Sequence, residues 1–188
     1  YCDAAANAVR NVTFELKNGD RIALDGANGC GKTSLVKAIL ACNKDGEAVS
    51  SDYKTTGILE VPQNLIISYI SQDTSHLKGS LRDFAREKRL DYTLLLALLR
   101  QLDFERVLFD KDMELYSEGQ KKKVLIASSL LTPAHLYIWD EPLNYIDVYT
   151  RMQIEKLLLA FRPTMLFVEH DVRFKETIAT GVLHMERN

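Results

Sequence analysis

The sequence predicts an α/β fold with a mainly parallel β-sheet, and three observations support this class. A glycine-rich loop at residues 26–33 lies between a short apolar segment and a helical one. Farther along, apolar strand-like segments alternate with helical segments, which is the order that gives parallel sheets covered by helices on both faces. The chain of 188 residues, with 46% hydrophobic and 27% charged content, is long and apolar enough for one well-buried domain.

Bulk properties exclude several classes of function. The net charge of −2 gives no global attraction to nucleic acid or to anionic lipid. No apolar run approaches the roughly 20 residues that cross a bilayer, and the longest covers only residues 94–99. Cys2, Cys30 and Cys42 show no metal or disulfide spacing, which favours a reducing cytoplasm. Without an initiator Met or a signal peptide, we expect a piece of a longer or processed protein.

The first third of the chain reads as strands around the glycine-rich loop. Residues 12–16 alternate as a half-exposed strand, and the turn residues that follow predict a hairpin into the next strand. The predicted elements are strands at 12–16, 21–24 and 65–70, a helix at 34–41, and a polar loop with weak strand character at 44–56.

The middle of the chain is predicted to be helical. Ser80 with Asp83 is a capping-box signal. Three helices are predicted at 80–90, 90–102 and 104–109, and a fourth at 121–131. We therefore expect a helical subdomain at about residues 74–131 within a single domain that covers residues 1–188.

The last third returns to alternating elements. Its predicted strands lie at 135–139, 164–168 and 182–185, and its predicted helices at 149–161 and 172–178. The first of these strands delivers Asp140 and Glu141, and the second ends at Glu169 and His170. Because parallel strands end at one edge of the sheet, these polar groups are expected to lie together.

The glycine-rich loop matches G-x-x-x-x-G-K-[ST], the phosphate-binding loop, in the strand–loop–helix context that the motif requires. Its residues are Gly26, Ala27, Asn28, Gly29, Cys30, Gly31, Lys32 and Thr33. The glycines let backbone N–H groups face phosphate oxygens, and the helix N-terminus adds positive charge. Lys32 is predicted to reach the β- and γ-phosphates, and the Thr33 hydroxyl to bind Mg²⁺.

The strand ends supply the other groups that phosphoryl transfer needs. Asp140 is predicted to hold Mg²⁺ through its water shell, and Glu141 to polarise the attacking water. His170 is placed to contact a γ-phosphate, and Gln72 to reach the metal or the water. Each of these residues alone is compatible with a purely structural role, but together at one sheet edge they indicate a catalytic site.

These motifs resemble the nucleotide-binding domain of ATP-binding cassette (ABC) proteins over essentially the whole chain. Residues 26–33 look like Walker A and Asp140-Glu141 like Walker B, while Ser117-Glu118-Gly119-Gln120 resembles the signature motif. Gln72, Asp147 and His170 match the Q-loop, D-loop and switch positions, and Tyr1 falls at the spacing of the aromatic residue that stacks on adenine.

The resemblance implies an ABC-type P-loop NTPase with an antiparallel β part and an α-helical subdomain, which binds ATP and Mg²⁺ and hydrolyses ATP. The implied nucleotide contacts are Tyr1, the eight loop residues, Ser34, Ser117, Gly119 and Gln120. The implied metal contacts are Thr33, Gln72 and Asp140, and the implied catalytic residues are Glu141, His170 and Gln72.

The signature departs from the family at Glu118, where the usual residue is glycine. In the family, two cassettes pair, and the signature of one faces the γ-phosphate held by the other. An anion there would repel phosphate unless its side chain turns away. We expect weak hydrolysis by the isolated domain, because each composite site needs a second cassette.

Residues 140–147 are similar to the ABC-F pattern, and residues 72–81 and 119–123 resemble the antibiotic-resistance ABC-F proteins of the Vga and Lsa type. This implies a cytoplasmic protein without membrane insertion, whose partners are a second cassette of the same polypeptide and the ribosome. The implied function is ribosome protection against antibiotics. The alternative is the ATPase subunit of an ABC drug-efflux transporter, with an apolar docking surface near Gln72 and the helical subdomain.

The lysines at 121–123 leave two interpretations open. A local lysine cluster can bind ribosomal RNA phosphates. The same residues are also compatible with the solvated face of the helix that follows the signature, which we favour over an RNA contact. Apart from these two interpretations, that helix end could also place positive charge near the nucleotide.

Overall fold

The computed structural model describes residues 12–45, 58–62 and 64–185. Its strands are β1 (Arg21–Asp25), β2 (Ile67–Ile70), β3 (Leu136–Asp140), β4 (Met165–Val168) and β5 (Gly181–His184). Its helices are α1 (Lys32–Asp45), α2 (Leu81–Glu87), α3 (Tyr92–Gln101), α4 (Glu118–Leu131), α5 (Val148–Phe161) and α6 (Val172–Ile178), with 3₁₀ turns at Arg106–Leu108 and Met113–Leu115.

The five strands form one sheet in the order β2-β3-β4-β1-β5, and each neighbouring pair is parallel. Strand β4 therefore lies between β1 and β3, although it is later in the sequence than both. This confirms the parallel α/β prediction. Among the described residues no antiparallel pair is present, so the antiparallel part of the prediction is not seen in them.

Side chains of the central strands alternate between the two faces of the sheet. Leu136 and Ile138 of β3 face a core shared with Val36 and Ile39 of α1. The alternate residues Tyr137 and Trp139 pack into the larger core on the other face, which also holds buried residues of α2 to α6. Strands that are apolar on both sides need cover on both sides, and the helices supply it.

Side-chain caps fix where the helices begin. Ser80 accepts a hydrogen bond from the N–H of Asp83 at 3.1 Å, which confirms the predicted start of α2. At α4 the hydroxyl of Ser117 and the side chain of Gln120 form a reciprocal capping box. This box starts the helix at Glu118 and not at the predicted residue 121, because it satisfies N–H groups that the first turn leaves free.

The predicted hairpin at the start of the chain is wrong. Residues 12–16 do alternate in burial, with Val12, Phe14 and Leu16 packed on the α1 side of the sheet, but they form no strand. Strand β1 pairs with β4 on one edge and β5 on the other, so neither edge is free for a hairpin partner.

Two other elements differ in extent. The helix predicted at 104–109 is only the 3₁₀ turn at Arg106–Leu108. Helix α1 continues to Asp45, past the predicted end at residue 41, and residues 46–56 of the predicted loop lie outside the described residues.

Candidate functional site

The phosphate-loop motif leaves β1 at Gly26 and enters α1 at Lys32. Gly26 has φ +152°, and a Cβ added there would lie 2.3 Å from the carbonyl oxygen of Met185. Gly29 and Gly31 also have positive φ angles, of 77° and 104°. The backbone path of this loop therefore requires glycine, as the motif predicts.

Lys32 lies within the loop and is buried. Its Nζ donates to the carbonyl oxygens of Gly26 at 2.7 Å and Ala27 at 3.1 Å. The loop thus holds an ammonium group next to the N-terminus of α1, where both favour an anionic phosphate. Asn28 is exposed, Cys30 is buried, and Ser34 lies half-buried in the first turn of α1.

Thr33 and Asp140 meet at the adjoining strand end. The Thr33 hydroxyl donates to Oδ2 of Asp140 at 3.1 Å. Asp140 is 1% exposed, and its Oδ1 has no hydrogen-bond partner. Burial raises the pKa of Asp140, while the hydrogen bond from Thr33 opposes that shift. A buried carboxylate oxygen without a partner is costly, and a bound cation would satisfy it.

These two side chains fit a Mg²⁺ site. Mg²⁺ usually takes one or two protein oxygen ligands together with waters and phosphate oxygens. Within residues 12–45, 58–62 and 64–185, no three His, Cys, Asp or Glu side chains converge as a closed metal cage. The donor set therefore suits a cation that arrives with a phosphate ligand.

Glu141 is the first residue after β3, and both oxygens of its carboxylate have partners. Oε2 accepts from Nδ2 of Asn144 at 2.8 Å, and Oε1 lies 3.3 Å from Nε2 of His170. The residue has φ +50°, a left-handed conformation that non-glycine residues rarely adopt. Its N–H donates to Val168 at 3.0 Å, so the neighbouring strand helps to hold that conformation.

Gln72 reaches the same edge of the sheet from β2. Strand register pairs Ile70 with Trp139, so Gln72 is two residues beyond that pair, as Glu141 is on the adjacent strand. Its side chain is exposed. The structure therefore brings the phosphate loop, Asp140, Glu141, His170 and Gln72 to one edge, as the strand ends predict.

The signature residues are not part of this cluster. Ser117 and Gln120 form the cap of α4, and a Cβ on Gly119 would lie 2.5 Å from the carbonyl oxygen of Tyr145. Among the hydrogen bonds of the described residues, none joins Ser117, Gly119 or Gln120 to the phosphate loop. Tyr1 lies outside the described residues.

The side chain of Glu118 turns toward the segment that follows β2. Its Oε2 accepts from the Thr74 hydroxyl at 2.6 Å, and its Oε1 lies 3.3 Å from Nζ of Lys121. The hydrogen bond from Thr74 is the main cause that lowers the pKa of Glu118. The carboxylate is therefore ionised, and both of its oxygens have partners within the chain. In this orientation the side chain is turned away, so its charge would not face a phosphate at the signature.

The two interpretations of the lysine cluster are both wrong for Lys122 and Lys123, which are buried. Lys122 contacts backbone carbonyls after β2, and Lys123 bonds the carbonyl of Asp103 and the carboxylate of Asp147. Three consecutive lysines at the start of a helix suggest an exposed surface. The sequence does not show which other segments of the chain cover these side chains.

Asn144 and Glu169 are candidates for a role in the site that the sequence did not predict, although Glu169 was expected at this edge of the sheet. Glu169 is buried; it accepts from the N–H of Leu143 at 2.8 Å and from that of His170 at 3.2 Å. Burial is the main cause that raises its pKa. Only its position directly before His170 could have drawn attention to it.

Comparison with known proteins gives one family. The family model described as "ABC transporter" matches residues 9–144. The chain is 30% identical, over 96% of its length, to the ATP-binding protein Uup of Buchnera aphidicola subsp. Acyrthosiphon pisum. It is 25% identical, over 94% of its length, to ABC transporter F family member 5 of Arabidopsis thaliana. It spans 30% and 25% of the length of these two relatives.

Solved structures share the fold. The ATP-binding subunit of an ABC transporter superposes with a TM-score of 0.74 at 23% identity, covering 96% of this chain and 81% of that one. The archaeal ribosome recycling factor aABCE1, in its complex with ribosomal stalk protein aP1, gives 0.68 at 24% identity, covering 96% and 38%. No helix in the described residues is long and apolar enough to cross a membrane.

Proposed function

The chain belongs to the ABC transporter family of ATPases, and we propose that it is one ATP-binding cassette of an ABC-F protein that acts on the ribosome. The similarity to an ABC transporter F family member and the ABC-F-like sequence at residues 140–147 support this subfamily. We propose residues 1–188 as a single nucleotide-binding domain, with a helical subdomain at about 74–131.

One observation carries the nucleotide part of the proposal: Thr33 donates to Asp140 beside a buried carboxylate oxygen that has no partner. Lys32 directly precedes Thr33 in the chain, and its ammonium group lies inside the loop. In the proposed complex, loop N–H groups and Lys32 bind the β- and γ-phosphates, and Thr33, Asp140 and Gln72 hold the Mg²⁺. Mg²⁺ would neutralise developing charge on the phosphate oxygens.

Glu141 is the proposed general base. Asn144 and His170 contact the two oxygens of its carboxylate, and Glu141 directly follows Asp140, a proposed Mg²⁺ ligand. A carboxylate held in this way can orient a water for in-line attack and accept its proton. His170 is exposed and borders Glu141, so it is proposed also to contact the γ-phosphate of a bound nucleotide.

Some proposed nucleotide contacts lie away from the phosphate loop and Glu141. We propose that they complete the nucleotide site when two cassettes pair. Ser117, Gly119 and Gln120 stand at the start of α4 and are proposed to face the nucleotide of a second cassette in the same polypeptide. Tyr1 is proposed to stack on adenine. Because half of each composite site comes from the partner, the isolated chain is proposed to hydrolyse ATP weakly.

The proposed partner is the ribosome. Two similarities support it: that to an ABC transporter F family member, and a fold shared with a ribosome recycling factor. Closing of two cassettes on ATP would favour the ribosome-binding shape, and hydrolysis would release it. We propose a cytoplasmic location and resistance to antibiotics through ribosome protection.

The test is co-sedimentation of the full-length protein with 70S ribosomes in ATP, ADP and no nucleotide. The proposal expects retention on ribosomes with ATP and release with ADP. A protein that binds Mg-ATP by calorimetry but does not co-sediment retains the cassette assignment and loses the ribosome assignment. Absence of Mg-ATP binding contradicts the nucleotide part itself.

A transporter ATPase subunit is the second candidate, and exposed apolar side chains favour it. Val107 and Leu115 are 61% and 74% exposed, between α3 and α4. In a transporter, such side chains would dock a helix of the membrane domain. The parent reading frame discriminates: a second cassette with a long charged linker supports the first proposal, and an adjacent permease gene supports the second.

A further inference from the structure

The segment that carries Gln72 is attached to helix α4 by a buried lysine. Nζ of Lys122 donates to the carbonyl oxygens of Ser71 at 3.0 Å and Gln72 at 3.1 Å. Lys122 is 2% exposed. A buried ammonium group must be compensated by acceptors, so these two carbonyls are fixed with respect to the second turn of α4.

Lys122 also lies in the field of the site's carboxylates. Burial lowers its pKa, and the charges of Asp140, Glu118 and Glu141 oppose that shift. The ammonium group therefore interacts with the site through space and holds the Gln72 backbone directly. Replacing it with an apolar side chain would leave two carbonyls without their donor.

A second attachment lies two residues farther along. The hydroxyl of Thr74, which is 3% exposed, donates to Oε2 of Glu118 at 2.6 Å. Lys121 approaches the other oxygen of the same carboxylate. Glu118 is the residue that departs from the family's usual signature, and glycine has no side chain with which to make this bond. The departure thus creates a contact between the signature and the Gln72 segment.

Between the two attachments the segment is a compact turn. Asp73 accepts from the N–H and the hydroxyl of Ser75, and the Ser71 hydroxyl donates to the carbonyl of Asp73. These hydrogen bonds brace the backbone around Gln72, which the two attachments tie to the start of α4. The start of α4 and the position of Gln72 are mechanically linked.

We propose that Lys122 and Glu118 are positioning residues that hold Gln72 at the metal and water site. The inference rests on the proposed function. It assigns to Glu118 a role in setting the geometry of its own cassette, and it links the helix that faces the partner's nucleotide to the residue that faces the cassette's own metal.

The test compares variants in the full-length protein by ATPase kinetics at varied Mg²⁺. Thr74→Val removes the hydroxyl without changing the side-chain shape, and Lys122→Met removes the ammonium group. Each is expected to lower kcat about tenfold, since small misplacements of a catalytic group cost this much or more. Each is also expected to raise the Mg²⁺ concentration for half-maximal rate, with ATP binding unchanged.

Glu118 is tested by two substitutions. Glu118→Gln keeps an acceptor for Thr74 and is expected to retain activity within about twofold of wild type. Glu118→Gly restores the family's usual residue. If Glu118 positions Gln72, Glu118→Gly should lower kcat as Thr74→Val does. If the carboxylate only repels phosphate, Glu118→Gly should raise kcat, and that result would overturn the inference.

A double-mutant cycle separates positioning from general destabilisation. In a Gln72→Ala background, Thr74→Val and Lys122→Met are expected to have no further effect on kcat. If either substitution lowers kcat further in that background, by the same factor as in wild type, the inference is overturned. This holds even if one of the variants is less stable than the other. The Glu141→Gln variant reports on the proposed function separately: if it hydrolyses ATP like wild type, the site assignment fails, whatever the cycle gives.

Discussion

Nζ of Lys123 lies 3.0 Å from Oδ2 of Asp147, and this ion pair joins α4 to the residue that caps α5. Burial opposes ionisation of Asp147, but hydrogen bonds from Thr150 and Lys123 outweigh it and hold the pKa of the carboxyl well below its ordinary value of 3.8. Because the folded pKa is lowered, the pair contributes stability above the ordinary pKa and loses it as the pH falls through the folded value.

We expect Lys123→Met to destabilise the protein at neutral pH and less so in acid. The pair is half-exposed at Asp147, so the expected loss at pH 7 is about 1 kcal/mol or less. Urea unfolding at pH 7 and at pH 2 measures the difference, because Asp147 is protonated in the folded state only well below pH 3.8. Lys156→Met, at an exposed lysine of α5, is the control and should show no pH-dependent change. A loss that is equal at both pH values would contradict the ion-pair explanation.

Thr33 provides a matched pair of variants for the metal site. Thr33→Val removes the hydroxyl that donates to Asp140, and we expect it to raise the Mg²⁺ concentration for half-maximal ATPase rate by about tenfold. Thr33→Ser keeps the hydroxyl and should remain near wild type. If the two variants show the same Mg²⁺ dependence, the assignment of the Thr33 hydroxyl to the metal site is wrong.

Asn144 is expected to act through Glu141. Asn144→Leu removes the donor to Oε2, so the carboxylate is less well oriented and kcat should fall by about tenfold with KM unchanged. Glu141→Gln should lose about a hundredfold or more, because general-base catalysis contributes this much. In the Glu141→Gln background the Asn144 change should add little. Initial-rate kinetics over a range of ATP concentrations separates these outcomes.

We expect Glu169→Gln and Glu169→Ala to change the free energy of unfolding in opposite directions at neutral pH. Its pKa is raised by burial above the ordinary 4.5, so the folded state binds its proton more readily than the unfolded state. The wild type should therefore lose stability relative to Glu169→Gln as the pH rises from 4.5 through the folded pKa. Glu169→Ala leaves the N–H of Leu143 without an acceptor and should cost about 1–3 kcal/mol. Thermal unfolding between pH 4 and pH 8 measures both.

The sheet and the metal-side residues could be predicted from the sequence because each depends on a local pattern. Apolar runs mark β3 and β4, and the phosphate-loop motif specifies its own backbone. Parallel order then places Asp140, Glu141 and His170 at one edge without any knowledge of side-chain contacts. These predictions need only the position of each residue along its own strand.

The errors come from contacts between distant parts of the chain. Alternation at residues 12–16 indicates a half-buried segment, but the partners of β1 are β4 and β5, more than 130 residues away. The burial of Lys122 depends on the segment after β2, 50 residues earlier in the sequence. The orientation of Glu118 likewise depends on Thr74, 44 residues before it. No local pattern contains this information.

Strand β4 lies between β1 and β3 but is synthesised after both. A nascent chain that has emerged only to residue 160 contains the phosphate loop, Asp140 and Glu141, yet it lacks the strand that separates β1 from β3 in the finished sheet. Cotranslational binding of nucleotide at this site must therefore wait at least until residues 165–168 have been synthesised. Before that point the growing polypeptide already contains the residues proposed to contact ATP. It cannot yet bind ATP at the completed site, because the sheet that positions those residues is unfinished.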